Sequence, residues 1–498
     1  MALSSGLATP EPPRKAHGPE VPLCLDLDGT LCRGDLLEES FARLLVTRPW
    51  RALLALFALR RGRAAFKAEL ARTIAGEAFE PVFRSEVLAL IEAVRRDEPS
   101  RPVILVTAAD HSLAEIVARR LPQRIDAVVA SDGRVNLKGE AKAARLVERY
   151  GHAGFDYVGD SLADLPVWMA ARQAFVVAPT ARLRARLAER GLVYRTVARR
   201  PDLVERLTLW LRALRPRQWA KNLLVFLAPL AAFALGDPAI WPPLLLTAVA
   251  FSALASAVYL VNDVADLAAD RTHPRKRQRP IAAGFISPAR ALTVAFILAG
   301  IGLAVLGQIA VGLLALGLGY LVSCFFYNAL FKHRRWWDIA VLAGLYDVRV
   351  IAGAWASAVP LSAWLTVFAT ASFVSLAALK RALELGVRRR SNGEDARARD
   401  YRQGDHRRIT GVGLTSAVIA VVTLAIYAIE QAAQAGYRAP PWLLLMALAV
   451  ALTFARIWWR AMPRVHTSDE DDPIRHTATD PYAWLTFALG VSAWLLAR

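Results

Sequence analysis

The stretch Val261–Ile286, VNDVADLAADRTHPRKRQRPIAAGFI, leaves an apolar run with Asn262, Asp263, Asp266 and Asp270. It then delivers Arg271, His273, Arg275, Lys276, Arg277 and Arg279 within nine residues. If its first part is helical, a step of 100° per residue puts Asn262 and the three aspartates within one arc of roughly 100°. A carboxylate beside a membrane span costs about 2.5–3.5 kcal/mol at a helix centre unless water or a cation compensates it. Oxygen ligands suit Mg²⁺, which keeps several waters and commonly shares its shell between one or two carboxylates and substrate phosphates. The order of acids and then bases therefore predicts a metal-bound diphosphate. Asp263, Asp266 and Asp270 would hold the metal, and Asn262, Arg271, Lys276, Arg277 and Arg279 would hold phosphate oxygens.

Around this stretch lie 498 residues, enough for two or more units. The 55% of hydrophobic residues are unevenly spread. Residues 1 to about 205 read as soluble protein. Nine apolar runs follow, at approximately 222–236, 240–261, 290–308, 311–330, 338–358, 361–379, 411–430, 441–459 and 483–497. Nearly all the later Lys and Arg fall in the alternate loops 262–289, 331–337, 380–410 and 460–482, while the other loops carry only Arg438. That asymmetry predicts a multi-pass plasma-membrane protein with its N-terminus in the cytoplasm and its C-terminus outside. It also accounts for the net charge of +19 without a nucleic acid. The opening MALSSGLATPEPPRKAHGPEV lacks the apolar core of a signal peptide, so the first domain is expected to stay cytoplasmic. Cys24, Cys32 and Cys324 are odd in number and lack ligand spacing, which implies no disulfide framework. Oligomeric state is not legible.

After an expected disordered tail at 1–19, VPLCLDLDGT (residues 21–30) reads as a buried strand entering a tight turn. The apolar runs VILVT, AVVAS, FDYVG and AFVVA alternate with helical patterns, which predicts an α/β, Rossmann-like parallel sheet. Its site would lie at the strands' carboxyl ends, where Asp26, Asp28, Thr107, Asp160 and Asp164 fall. DLDGT, the threonine of VILVTAAD, a lysine of NLKGEAK, and GDSLAD together resemble the haloacid dehalogenase-like phosphohydrolases over residues 20–180. The resemblance implies Asp26 as nucleophile and Asp28 as general acid and base. It implies Thr107 and a lysine on the phosphoryl oxygens, and Mg²⁺ on Asp26, Asp160 and Asp164. Of the two candidate lysines, Lys138 is preferred to Lys142 for its following glycine and its distance from Asp160. Residues from about 35 to 80 resemble a helical cap, whose segment RPWRALLALFALRRGR suits either the membrane surface or a buried cap helix. Residues 181–210 read as a basic helical linker.

The second half, residues 211–498, reads as an all-α transmembrane bundle of about nine helices. LRPRQWAKNLLVF, NDVADLAAD and YNALFKHRRWWD resemble the UbiA superfamily of intramembrane transferases. Within it, His273-Pro274, Lys276-Arg277 and Arg279 to Gly284 are most similar to the branch that transfers phosphoribosyl groups to decaprenyl phosphate. Aromatic prenyltransferases carry a second aspartate-rich motif after the sixth span. LKRALEL stands there in this chain, so Lys380 and Arg381 would instead meet a second anion, a lipid phosphate. Lys221 and Asn222 are further candidate phosphate contacts. In the fifth run Arg349 lies about 20° from Asp338 around a helix, and these two are expected to face the cavity. Asp347, about 180° from Asp338, would pair with a neighbouring helix. Trp336 and Trp337 read as interface anchors, and Tyr401 and His406 as loop residues.

The resemblances imply a Mg²⁺-dependent enzyme that moves 5-phosphoribosyl from phosphoribosyl diphosphate to a polyprenyl phosphate among membrane lipids, with a fused phosphatase for the product. One alternative is transfer of a prenyl group from a prenyl diphosphate to an aromatic acceptor. Another is a transport or lipid-binding protein with an inactive hydrolase-like anchor.

Overall fold

The computed structural model describes residues 21–62, 66, 69–70, 80–131, 136–331, 334–390, 405–430, 436–462 and 480–497. The expected tail at 1–19, part of the cap, and Tyr401 lie outside the described residues. The chain forms two compact units. One holds Met1–Ala213 with Asp263–Thr293, and the other Leu214–Asn262 with Val294–Arg498. By contacts, the acidic stretch from Asp263 groups with the first of these units.

The first unit is built on six parallel strands: β1 (Leu23–Leu25), β2 (Val103–Asp110), β3 (Ala127–Ser131), β4 (Asp156–Gly159), β5 (Gln173–Val177) and β6 (Tyr194–Ala198). Their order is β3-β2-β1-β4-β5-β6, with Leu23 in register with both Val103 and Asp156. Successive residues of a strand face opposite sides of a sheet. Leu23, Leu25, Val103 and Leu105 accordingly enter one core, and Cys24, Ile104, Val106 and Tyr157 the other. Burial on both faces explains why these strands read as unbroken apolar runs. The sheet does not stop at residue 180: β6 pairs with β5 inside the segment expected to be a helical linker. Its Tyr, Thr and Val favour an extended strand over the surrounding arginines' helical preference.

After β1 the cap begins with α1 (Leu36–Thr47), whose N-cap Asp35 accepts from the Leu37 and Glu38 amides. Then comes α2 (Pro49–Phe57), which buries Ala52 and Ala55 and leaves Trp50, Leu53, Leu54 and Phe57 more than half exposed. It is therefore not a buried cap helix.

In the second unit the first apolar run is not one helix. It breaks into the 3₁₀ stretch Pro216–Phe226, a helix at Leu227–Ala231 and a 3₁₀ turn at Ala234–Gly236. Pro229, which has no N–H to donate, lies inside that run, and Arg215 and Phe233 take positive φ of 56°. Among the described residues seven helices are long and apolar enough to cross a membrane, from Pro238–Ala265 to Trp442–Arg460, and Pro481–Ala497 is a shorter apolar helix. Two of them carry polar residues of interest, α3 (Trp337–Ala356) and α4 (Ala363–Arg390). Gly353 lets the 3₁₀ stretch lie directly on α3, because a Cβ there would stand 1.8 Å from the Val225 carbonyl oxygen.

Candidate active sites

Asp26 follows the last residue of β1, and its amide donates to the Val158 oxygen at 2.9 Å. Gly29, at φ 77°, turns the chain where a side chain would meet Asp160 Oδ2 at 2.3 Å, so the DLDGT turn requires glycine. Asp160 follows β4, and Asp164 ends a short 3₁₀ turn capped by Ser161. One oxygen each of Asp26, Asp160 and Asp164 lies within 4.8 Å of the others. Thr107 is fully buried in β2, and its hydroxyl accepts from the Ala109 amide at 3.0 Å. Asp28 Oδ1 accepts from the Leu36 amide at 2.9 Å, which ties it to the first turn of the cap.

The lysine differs from the expected one. Lys138 is exposed, whereas Lys142, 3% exposed, donates to Asp26 Oδ1 at 2.6 Å and to the Tyr157 hydroxyl at 2.9 Å. It also stands 3.6 Å from Asp164 Oδ1. Lys142 lies in the first turn of helix Glu140–Tyr150, whose packing aims its side chain inward; Lys138 precedes that helix. Tyr157, which sequence reasoning missed, donates to Asp164 Oδ1 at 2.8 Å. Its signal was an aromatic residue on β4 one alternation before Gly159.

Burial, opposed by Lys142 and reinforced by Asp164, pushes the Asp26 carboxyl up to about 6. Burial and the charges of Asp26 and Asp164 push Asp160 up to about 7. Burial lowers the Lys142 ammonium's pKa, but Asp26 and Asp164 outweigh it and hold it above the ordinary range. Three carboxylates against one ammonium leave negative charge, and hard oxygen donors fit Mg²⁺.

The acidic stretch is arranged differently. The long helix ends at Ala265, Asp266 interrupts it at φ −86° and ψ 6°, and helix resumes over Leu267–Thr272. The single continuous arc expected of Asn262, Asp263, Asp266 and Asp270 is thus broken at Asp266. Arg279 Nη1 bridges Asp270 Oδ2 at 2.6 Å and Asp263 Oδ1 at 3.0 Å. Burial pushes Asp270 upward despite this partner. Arg271 turns elsewhere: it pairs with Glu39 of α1 and donates to the carbonyls of Glu80 at 2.7 Å and Ala282 at 3.0 Å. Lys276 and Arg277 are exposed, and His273 Nδ1 accepts from the amides of Arg275 and Lys276. Among the described residues only Asp26, Asp160 and Asp164 bring three carboxylates close enough to share a metal ion, whereas Asp263 and Asp270 are joined through Arg279.

Within the second unit Arg381 is not a free phosphate contact. It is 1% exposed, its Nε stands 2.5 Å from Asp338 Oδ2, and it also pairs with Glu384. Helical spacing on α4 puts Glu384 beside it, and Asp338 comes from α3. Lys380 is half-buried. Asp338 and Arg349, both expected to face the cavity, thus have separate buried partners. Arg349, 5% exposed, donates from Nε to Asn222 Oδ1 at 2.7 Å and from Nη2 to the Tyr320 hydroxyl at 3.2 Å. Asn222 is itself buried and donates to Ser252 Oγ at 2.9 Å. Lys221 Nζ lies 5.8 Å from the Tyr346 ring centroid. Asp347 accepts from Thr370 of α4 at 3.0 Å, a neighbouring helix as expected. Trp336 and Trp337 are exposed, and His406 is half-buried in a helix and not in a loop.

Residues 223–473 match the UbiA prenyltransferase family, and residues 23–169 match haloacid dehalogenase-like hydrolase. Uncharacterized protein y4nM of Sinorhizobium fredii is 34% identical over 96% of this chain and 91% of its own length. Decaprenyl-phosphate phosphoribosyltransferase of Mycobacterium tuberculosis is 43% identical over 139 residues, 27% of this chain and 46% of that enzyme. Among solved structures, a UbiA homolog from Archaeoglobus fulgidus bound to DMAPP and Mg²⁺ is similar at 16% identity. That likeness covers 57% of this chain and 98% of the homolog, with a TM-score of 0.44.

Proposed function

Because the chain belongs to the UbiA prenyltransferase family, with a haloacid dehalogenase-like hydrolase domain ahead of it, we propose that it is a bifunctional membrane enzyme making and then dephosphorylating a polyprenyl-linked ribosyl phosphate. The observation that carries this reading is the 43% identity over 139 residues to an enzyme named for phosphoribosyl transfer to decaprenyl phosphate. In the transfer step an oxygen of the polyprenyl phosphate bonds to ribosyl C1 as the C1–O bond to diphosphate breaks. The diphosphate leaves with the electron pair. Mg²⁺, held by Asp263, Asp266 and Asp270, would neutralise charge on that leaving group. Arg279, already among the acids, then has a phosphate oxygen to turn to, and the exposed Lys276 and Arg277 extend the positive field around it.

In the hydrolase domain an Asp26 oxygen attacks the product's 5-phosphate, and the phosphorus–oxygen bond to the ribose breaks. Asp28 supplies the proton to the leaving oxygen, then takes one from the water that cleaves the aspartyl-phosphate. Lys142 and Thr107 hold phosphoryl oxygens, and Asp26, Asp160 and Asp164 would hold Mg²⁺, which supplies charge neutralisation. The alternate basic loops support a cytoplasmic face for this domain in the plasma membrane.

Membranes containing the protein, incubated with labelled phosphoribosyl diphosphate and decaprenyl phosphate, should yield labelled lipid. Turnover of a prenyl diphosphate with an aromatic acceptor, and no labelled lipid, would overturn the proposal in favour of prenyl transfer.

A further inference from the structure

Among the described residues two arginines are buried within the helical unit, and their surroundings differ in charge. Arg381 meets the carboxylates of Asp338 and Glu384. Arg349 has no carboxylate within 4.0 Å among the described residues. Its acceptors are the Asn222 amide oxygen, the Tyr320 hydroxyl and the Leu345 carbonyl, all neutral. A guanidinium carries five N–H donors, and these three bonds use three of them. Neutral acceptors reduce the desolvation cost without cancelling the charge, so a buried cation of this kind in a membrane bundle calls for an anion. The acid nearest in sequence, Asp347, is taken by Thr370.

The position is built to be rigid. Asn222 is fixed from behind by Ser252, whose hydroxyl accepts from its amide, and Gly353 seats the stretch carrying Asn222 directly against α3. Lys221, next in the chain, brings a second cation to Tyr346, one helical turn from Arg349.

We propose that Arg349, with Asn222 and Lys221, forms an intramembrane site for a phosphoryl anion, filled by the headgroup of a polyprenyl phosphate or by a phosphate of a soluble donor. The proposal rests on the transferase reading only for which phosphate arrives; the charge argument stands without it.

The test uses the full chain in lipid nanodiscs with farnesyl phosphate, phosphoribosyl diphosphate and uncharged farnesol. Asn222→Asp places a carboxylate on the Arg349 guanidinium with little change of shape, as Asp338 does for Arg381. It should keep the melting temperature at or above that of the unaltered protein and weaken phosphate binding by about thirtyfold or more, whereas Arg349→Lys should stay within about tenfold. Loss for farnesyl phosphate alone assigns the site to the lipid headgroup, and loss for phosphoribosyl diphosphate alone assigns it to the donor. Farnesol should bind at least about thirtyfold more weakly than its phosphate. Should Asn222→Asp melt early, Arg349→Met is read in the same way. Unchanged binding of both phosphates in a folded variant, or no binding of either by the unaltered protein, would overturn the site. Transfer assays on the same preparations separate the two ideas. Binding without phosphoribosyl transfer sinks the reaction and keeps the site, and transfer with unchanged binding in Asn222→Asp does the reverse.

Discussion

Asp26, Asp160 and Asp164 share a buried cleft with one lysine, whereas Asp263 and Asp270 are joined to each other through Arg279. Both groups lie in the first unit and both use aspartates at short spacing, yet they treat charge differently. In the first, strand ends and a capped 3₁₀ turn fix the oxygens close together, and one ammonium leaves room for a divalent cation. In the second, the helix breaks between the acids and a flexible, partly exposed arginine spans them. A rigid carboxylate cluster waits for a cation, while a bridged one already holds a cation that a phosphate can draw away.

The comparison breaks most sharply at the nucleophile. Asp26→Asn should lower phosphate release from the lipid product by a thousandfold or more, roughly the range seen when a nucleophile is removed, and leave formation of that lipid unchanged. Phosphate release and labelled lipid measured on one preparation decide it, and loss of both activities would contradict independent sites.

The next effect is on stability. Lys142→Met strands Asp26 and Asp164 in the core without their ammonium and should cost about 3–5 kcal/mol. The exposed Lys138→Met should stay within about 0.5 kcal/mol. Thermal melts with and without Mg²⁺ sharpen the point, since added metal should raise the melting temperature of Lys142→Met more than that of the unaltered protein. Equal melting of the two lysine variants would remove Lys142 from the cluster.

The smallest effect is at the bridge. Arg279→Gln leaves Asp263 and Asp270 without that cation and should tighten Mg²⁺ at the acidic stretch by about fivefold, the scale of a partly exposed ion pair. Metal titration in an Asp26→Asn, Asp160→Asn background isolates this site. Unchanged affinity would mean that Arg279 and the metal do not compete.

The sequence by itself determined the two architectures. Alternating apolar runs and helical patterns are local, so the parallel sheet was legible, as were the positions of Asp26 and Asp160 just past β1 and β4, whereas β2 runs three residues beyond Thr107. Apolar length made the membrane helices legible in the same way, apart from the first run, which contains Pro229 and breaks into short 3₁₀ and helical pieces. Only the tertiary structure decided which charges meet. Lys142 reaches Asp26 across 116 residues, and Arg349 reaches Asn222 across 127. Arg381, expected to greet a phosphate, is instead matched by Asp338 from another helix. A pairing of 2.5–4 Å depends on how whole elements pack, and local periodicity carries no record of that distance.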